Sequence, residues 1–395
     1  MQLMPDESDQ PVNPLVQRVR EALAGVNDPE IHRPITDLGM VKDITVSAEG
    51  AVTVAVYLTV TGCPMRDRIS RDVTAAVTPL PGVTSVQVEL DVMSDQQREE
   101  LKTRLRGGQN GMNEKEIPFN RPENLTRIFA IASGKGGVGK SSVTVNLGAA
   151  MVAMGLSVGI LDADVYGHSV PAMLGAGDAR PTAVDDMIMP VTAHGIRSIS
   201  IGMLKGSRDQ VVAWRGPILD RALVQMLADV YWGDLDVLLL DLPPGTGDIA
   251  ISMGQRLPGA EVIVVTTPQE AAAEIAERAG TIAVQLRQRV AGVIENMSWL
   301  PCPHCGPEHR IDLFGSGGGQ RVADTLSQRF GTSIPLLGQV PLDIRLRQGS
   351  DSGMPLVLSE PEVPASVALK QIASTLVGRG RGLAGKSLGL TPVAR

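Results

Sequence analysis

"SGKGGVGKSS", residues 133–142, is the stretch that decides the fold of this 395-residue chain. It follows the apolar run "RIFAIA" (127–132) and leads into "SSVTVNLGAAMVAM" (141–154), a helical segment. Gly134, Gly139, Lys140 and Ser141 satisfy G-x-x-x-x-G-K-[ST], in the strand–loop–helix context that this motif requires. Its glycines let backbone N–H groups converge on phosphate oxygens. The helix start adds partial positive charge. In such a loop Lys140 neutralises β and γ oxygens, and the Ser141 hydroxyl ligates Mg²⁺. Lys135 is an extra lysine that a plain phosphate loop does not need; alone it reads as a solvated loop residue.

Outward from this loop, apolar runs without alternation recur: "SVGILDA" (157–163), "LDVLLLDLP" (235–243), "EVIVVTTP" (261–268) and "VAGVIENM" (290–297). Amphipathic segments separate them. Strands buried on both faces and alternating with helices predict an α/β fold, a mostly parallel doubly wound sheet. Two of these strands end in acids. An acid at the C-terminal end of a parallel strand faces the ligand crevice. Asp241 is therefore expected to meet the magnesium; the alternative is a cap on the turn at Pro243, Pro244 and Gly245. Asp162 and Asp164 share one side of an extended chain. One can hold a magnesium-bound water while the other orients the attacking water, or both cap the loop.

Composition narrows the class. There are 36 Lys+Arg against 43 Asp+Glu, a net charge of −7, which argues against a broad nucleic-acid surface. Aromatics are only 3%, so the core is aliphatic. The polar, acidic start lacks the basic and apolar regions of a signal peptide, and no apolar run is long enough to span a bilayer, so a cytoplasmic location is expected. The 3 cysteines are Cys63, Cys302 and Cys305. "CPHC" (302–305) suggests metal or redox chemistry. Its two thiolates are half of an iron–sulfur ligand set or half of a zinc site, and His309 is near enough in sequence to complete a local zinc knuckle. A redox disulfide is a further reading.

Upstream, residues 14–92 predict a small α/β domain: a helix in "NPLVQRVREALAGV" (13–26), a hairpin turning at Glu49-Gly50, a helix from "CPMRDRISRDVTAAV" (63–77) and a strand in "GVTSVQVELDV" (82–92). Residues 93–126 read as a charged, exposed helix and a Gly/Asn/Pro linker. The main domain is expected over 127–375. A Gly-rich basic tail, 376–395, carries Arg379, Arg381, Lys386 and Arg395 but no apolar face, so no membrane anchor is expected.

"GKGGVGKS" resembles the deviant Walker A of the ParA/MinD/nitrogenase-iron-protein class. "DADVYGHS" (162–169), "WRGP" (214–217), "DLPPGTGD" (241–248), "ENMS" (295–298), "CPHCG" (302–306), "FGSGGG" (314–319) and "GSDSGMPL" (349–356) together resemble the Mrp/ApbC subfamily of iron–sulfur cluster carriers. His168 departs from the family's usual proline. Ser350 separates Gly349 from Asp351 where relatives often carry glycine. "NDPEIHRPITDLGMV" (27–41) and "LTVTGCPMRDRI" (58–69) resemble the SufT-like domain of iron–sulfur assembly proteins.

The resemblance implies an ATP-binding, slowly hydrolysing homodimer that carries a [4Fe–4S] cluster to apo-proteins. ATP would be held by Gly134, Lys135, Gly136, Gly137, Val138, Gly139, Lys140, Ser141, Ser142 and Asn296, with Asn296 at the adenine. Pro341 and Asp343 lie where relatives approach the base. Ser141, Asp162 and Asp241 would hold Mg²⁺. Asp164 would orient water, and Lys135 would reach the partner subunit's nucleotide. Two C-x-x-C pairs across a two-fold axis make four thiolates, so Cys302 and Cys305 would bridge one cluster between subunits. Cys63, just before Pro64 at a helix start, is either a cluster relay with a lowered pKa or a small packed residue. The rival functions are a ParA/MinD-like positioning ATPase and a zinc-stabilised regulatory ATPase.

Overall fold

The computed structural model describes residues 14–101, 116–204 and 216–378, apart from positions 30, 32, 60–64, 95, 99, 165, 166, 168, 246 and 303. The expectations for Cys63, His168, Trp214, Arg215 and the tail from Arg379 lie outside the described residues. The described residues fall into two compact units, within Met1–Met112 plus Thr182–Met189 and within Asn113–Pro181 plus Pro190–Arg395.

In the first unit, α1 (Pro14–Leu23) buries Leu15, Val19 and Leu23. Spacing of four puts these on one face. β1 (Val41–Val46) and β2 (Ala51–Leu58) pair antiparallel. Gly50 between them has φ +82°, and a Cβ there would lie 2.3 Å from the Gly82 carbonyl oxygen. The turn accordingly takes glycine. α2 (Arg66–Val77) buries Ile69, Val73 and Val77, and β3 (Ser85–Val92) runs parallel to β2. In the charged segment that follows, residues 96–98 and 100–101 are helical, but Leu101 is buried rather than exposed, withdrawing the segment's one described leucine from water.

The second unit opens with β4 (Arg127–Ser133), α3 (Lys140–Ala153), β5 (Val158–Asp162) and the short α4 (Val170–Met173). The chain then makes the hairpin β6 (Thr182–Val184) and β7 (Met187–Met189), counted with the first unit. It returns as β8 (Val191–Ala193), β9 (Ile196–Ser200), α5 (Gly216–Ala228), β10 (Val237–Asp241), α6 (Asp248–Arg256), β11 (Glu261–Thr266), α7 (Glu270–Gln285) and β12 (Arg289–Asn296). β13 (Leu300–Cys302) and β14 (Gly306–Ile311) form a further hairpin. α8 (Gly318–Phe330), β15 (Leu336–Val340), α9 (Ile344–Ser352), α10 (Leu356–Ser359) and α11 (Pro364–Gly378) complete it.

Eight strands make one sheet in the order β15-β12-β11-β4-β10-β5-β9-β8, parallel throughout except at the β8–β9 edge. Every residue of β5 and β10 is buried, which is why their sequences show no alternation. Phe129, Ile131, Ile160, Leu239 and Ile263 of the sheet pack with Leu147 and Met151 of α3 and with Leu369, Ile372 and Leu376 of α11. This packing, at roughly 1.5–3 kcal/mol for each fully buried aliphatic side chain, anchors α3, whose N-cap Gly139 makes no side-chain capping bond. Asp241 pairs in register with Ile131 on one side and Asp162 on the other. Two acids thus stand side by side next to the loop that leaves β4.

Candidate functional site

The loop between β4 and α3 has a conformation that its glycines permit. Gly137 and Gly139 have φ +79° and +77°, in the left-handed region. Gly134 is held for a different reason: a Cβ there would lie 2.4 Å from the Ile275 backbone of α7. The loop is tied down by Gly245 N donating to Ser133 O (2.8 Å) and by Asn296 Nδ2 donating to Val138 O (2.9 Å). Beside it lies a cleft of about 190 Å³ lined by Lys135 to Ser142 and by Asp164, Ser169 and Met173 among others. The first N–H groups of α3 are free of side-chain caps at this cleft. That is the arrangement an anion needs.

Beneath the loop, Lys140 Nζ lies 2.7 Å from Asp241 Oδ2, and both side chains are buried. Ser141 Oγ donates to the same oxygen at 2.7 Å, and Thr144 Oγ1 donates to Asp241 Oδ1 at 2.7 Å. The serine hydroxyl and the strand-end carboxylate are thus already in contact, as a shared magnesium requires. Asp162, next to Asp241, accepts from Asp164 N (3.1 Å), Val170 N (3.3 Å) and Ser200 Oγ (3.1 Å). Burial, and then the charge on Asp241, push the Asp162 carboxyl up to about 8. Two adjacent buried carboxylates with one lysine keep a proton between them at neutral pH.

That proton makes a pH prediction. The unfolded chain holds it only below about pH 4. Between about pH 4 and 8 the folded state binds it and the unfolded state does not, so stability falls as pH rises, by at most ~1.4 kcal/mol per pH unit. Asp162→Asn lacks this contribution. The melting temperature of the wild type minus that of Asp162→Asn, without magnesium or nucleotide, is expected to decline up to about pH 8 and then level. A difference that does not vary with pH would show that Asp162 titrates as an ordinary carboxylate.

Lys135 lines the cleft, and its Nζ donates to Gln269 Oε1 at 2.9 Å. Asp164, 8% exposed, accepts from Gly167 N at 2.9 Å. Asn296 is 4% exposed, and its Oδ1 has no hydrogen-bond partner among the described residues. A buried amide oxygen left open suits a ligand that donates, such as a base amino group. Asp343 is more committed: it caps α9 and lies 2.7 Å from Arg345 Nη2. Burial opposes its ionisation, but the hydrogen bonds from Arg345 outweigh that and hold it below the usual carboxylate range. Pro341 is buried in the turn before it.

Three contributors escape the sequence reading: Thr144, Ser200 and Gln269. Thr144 follows Lys140 by one helical turn, so facing spacing within α3 could have found it. Gln269 lies three residues past the end of β11, where it starts α7, so the strand-end rule that singled out Asp241 does not reach it. Ser200 carried no signal before β9 was known to adjoin β5.

The cysteines stand apart from this cleft. Cys302 ends β13 opposite Gly306, whose φ is +87°. Cys302 is half-buried, Cys305 exposed, and both thiols are free. The N–H groups of Cys305 and His304 point at the Cys302 sulfur, with Cys305 N at 3.4 Å, and hold its thiol below the ordinary cysteine range. A thiol so placed forms the thiolate that metals bind. Arg310 of β14 stacks 4.0 Å over the ring of Trp299, the residue just before β13. Among the described residues no group of three or more His, Cys, Asp or Glu is placed to hold a metal, so His309 does not join the cysteines in a site within one chain.

No helix among the described residues is long and apolar enough to cross a membrane. The family model described as ParA, NUBPL iron-transfer P-loop NTPase, matches residues 124–377, and that of the iron-sulfur cluster assembly protein matches residues 16–90. The iron-sulfur cluster carrier protein of Mycobacterium tuberculosis (strain ATCC 25618 / H37Rv) is 57% identical over 377 residues, covering 95% of this chain and 97% of that protein. The iron-sulfur cluster carrier protein of Deinococcus radiodurans is 42% identical over 359 residues, 91% of this chain and 93% of that one. A solved nucleotide-binding protein from Archaeoglobus fulgidus, in complex with ADP and with Co, superposes with a TM-score of 0.50 at 34% identity, over 62% of this chain and 95% of that chain.

Proposed function

The chain belongs to the iron–sulfur cluster carrier family of P-loop NTPases, and from that premise we propose that it binds and slowly hydrolyses ATP, holds a [4Fe–4S] cluster between two subunits and passes it to apo-proteins. The observation that carries the cargo assignment is the pair Cys302 and Cys305, free thiols on one hairpin with no third metal ligand beside them among the described residues. Half a cubane's ligand set on each chain is completed by a second copy. The hairpin begins four residues after Asn296, which reaches the underside of the phosphate loop, so nucleotide and cargo share β12 as their connection. The protein works in the cytoplasm, where thiols stay reduced.

Within each subunit, Lys140 and the α3 N-terminus bind the β and γ phosphates. Ser141, Asp241 and Asp162 hold magnesium, which offsets the charge on the phosphate oxygens. Asp164 orients water, and the open Asn296 Oδ1 accepts from the adenine amino group. Lys135 leaves Gln269 to meet the partner's nucleotide. Transfer of cluster from anaerobically reconstituted protein to an apo-protein that needs [4Fe–4S] for activity tests the whole proposal. Retention of one zinc per chain, with no iron or sulfide taken up, would sink it.

Lys135→Ala separates the two lysines. Each subunit keeps Lys140, so nucleotide affinity is expected to stay within about twofold of wild type. Turnover is expected to fall by about three orders of magnitude, the low end of what a phosphate-directed cation supplied in trans is worth. Steady-state hydrolysis beside equilibrium nucleotide titration makes the comparison. Wild-type turnover would reduce Lys135 to a loop lysine.

A further inference from the structure

Ser142 lies in the first turn of α3 and lines the phosphate cleft. Its surroundings are fixed. Asn146 Nδ2 donates to Ser142 O at 2.9 Å, while Asn146 Oδ1 accepts from Val357 N at 3.2 Å, pinning the start of α3 to α10. The end of α9 is fixed too: Gly353 abuts Gly175 so closely that a Cβ on it would fall 2.3 Å from the Gly175 Cα, and His194 Nε2 lies 2.9 Å from Gly353 O.

Across this fixed gap, Ser142 Oγ is 3.3 Å from Ser350 Oγ on α9. A hydroxyl has a single proton to give. That of Ser350 goes to Leu346 O, one turn back in the same helix, at 2.8 Å. The proton between the two serines therefore belongs to Ser142. Phosphate oxygens only accept, so a serine at this point in the cleft must spend its proton on them to bind them.

We infer that Ser350 is a positioning residue of the nucleotide site: by accepting the Ser142 proton it turns that hydroxyl's lone pairs toward the cleft, so that an entering phosphate must break the Ser142–Ser350 bond before Ser142 can donate to it. Both helices are held by other contacts, so the change is a rotation of the Ser142 hydroxyl and not a movement of α9. The inference rests on the nucleotide assignment of the cleft.

Ser350→Ala removes the acceptor and suits a helix interior, alanine having the highest helix propensity. ADP and ATP are expected to bind this variant about three- to tenfold more tightly, the worth of one hydrogen bond no longer broken, with adenosine unaffected. Ser142→Ala is expected to bind ADP more weakly than wild type, and Ser142→Ala/Ser350→Ala to match Ser142→Ala, because Ser350 acts only through Ser142. Ser350→Thr, which keeps the hydroxyl, should behave as wild type. Titration calorimetry with ADP decides. Unchanged or weaker ADP binding by Ser350→Ala, or a tightening that persists without the Ser142 hydroxyl, would overturn the inference. A wild type that binds neither ADP nor ATP would instead remove the cleft assignment, and the inference with it.

Discussion

Lys140→Ala is expected to lower nucleotide affinity by on the order of 10²–10³-fold, the loss that follows truncation of a buried charge partner. Lys140 is 6% exposed and already pays its desolvation against Asp241, at 2.7 Å. Bound phosphate gains a cation whose position is fixed before it arrives. The same geometry predicts a second effect. Without Lys140, the Asp241 carboxylate is left buried beside Asp162 with its ion-pair partner gone, and the fold is expected to lose about 3–5 kcal/mol. Lys140→Gln, which keeps a donor and drops the charge, serves as the companion. ADP titration well below the melting temperature, with circular dichroism to confirm the fold, is the measurement. Wild-type affinity in a folded variant would remove the phosphate-loop assignment.

Cys302→Ser and Cys305→Ser are each expected to lose the cluster completely. A neutral hydroxyl is a far weaker iron ligand than the thiolate favoured at Cys302, and the two hairpin cysteines of each chain leave no spare. Anaerobic reconstitution of the wild type should give about four iron and four sulfide per dimer, and of either variant almost none. ADP affinity should not change, because neither cysteine lines the cleft. Cys63→Ser should keep its cluster. Iron and sulfide retained by Cys302→Ser would move the cargo site elsewhere in the chain.

Local signals made the framework readable. The phosphate loop announces itself within ten residues, and "VLLLD" predicts a buried strand because burial on both faces leaves no polar alternation. The hairpin at Gly50 was legible because positive φ there selects glycine. Partnerships across the sheet were not legible. Asp241 meets Thr144 at a separation of 97 residues, and Asp162 meets Ser200 at 38. Nothing in either neighbourhood encodes the other, since strand order alone decides which loops converge. The proton held at Asp162 was equally hidden, because it arises from the register that sets Asp162 beside Asp241. The resemblance implied a place near the base for Asp343, but nothing in the sequence showed its engagement with Arg345, which depends on the helix it caps.

The position of β4 in the sheet order has a consequence for synthesis on the ribosome. β4 ends at Ser133, yet its two neighbours, β10 and β11, begin only at Val237 and Glu261. At about 5–20 residues per second, this largely buried strand emerges and then waits roughly 5–20 s for its first pairing partner. During that interval Phe129 and Ile131 have no sheet to enter, and both edges of the strand are open to other nascent chains. Nor can a ligand of the cleft shorten the wait, since Asp241, which holds Lys140 and Ser141, is the last residue made of the first strand to join β4. The hazardous lengths of this polypeptide are therefore those that stop between residues 133 and 241, and stalled or truncated products in that window are the ones a chaperone must hold.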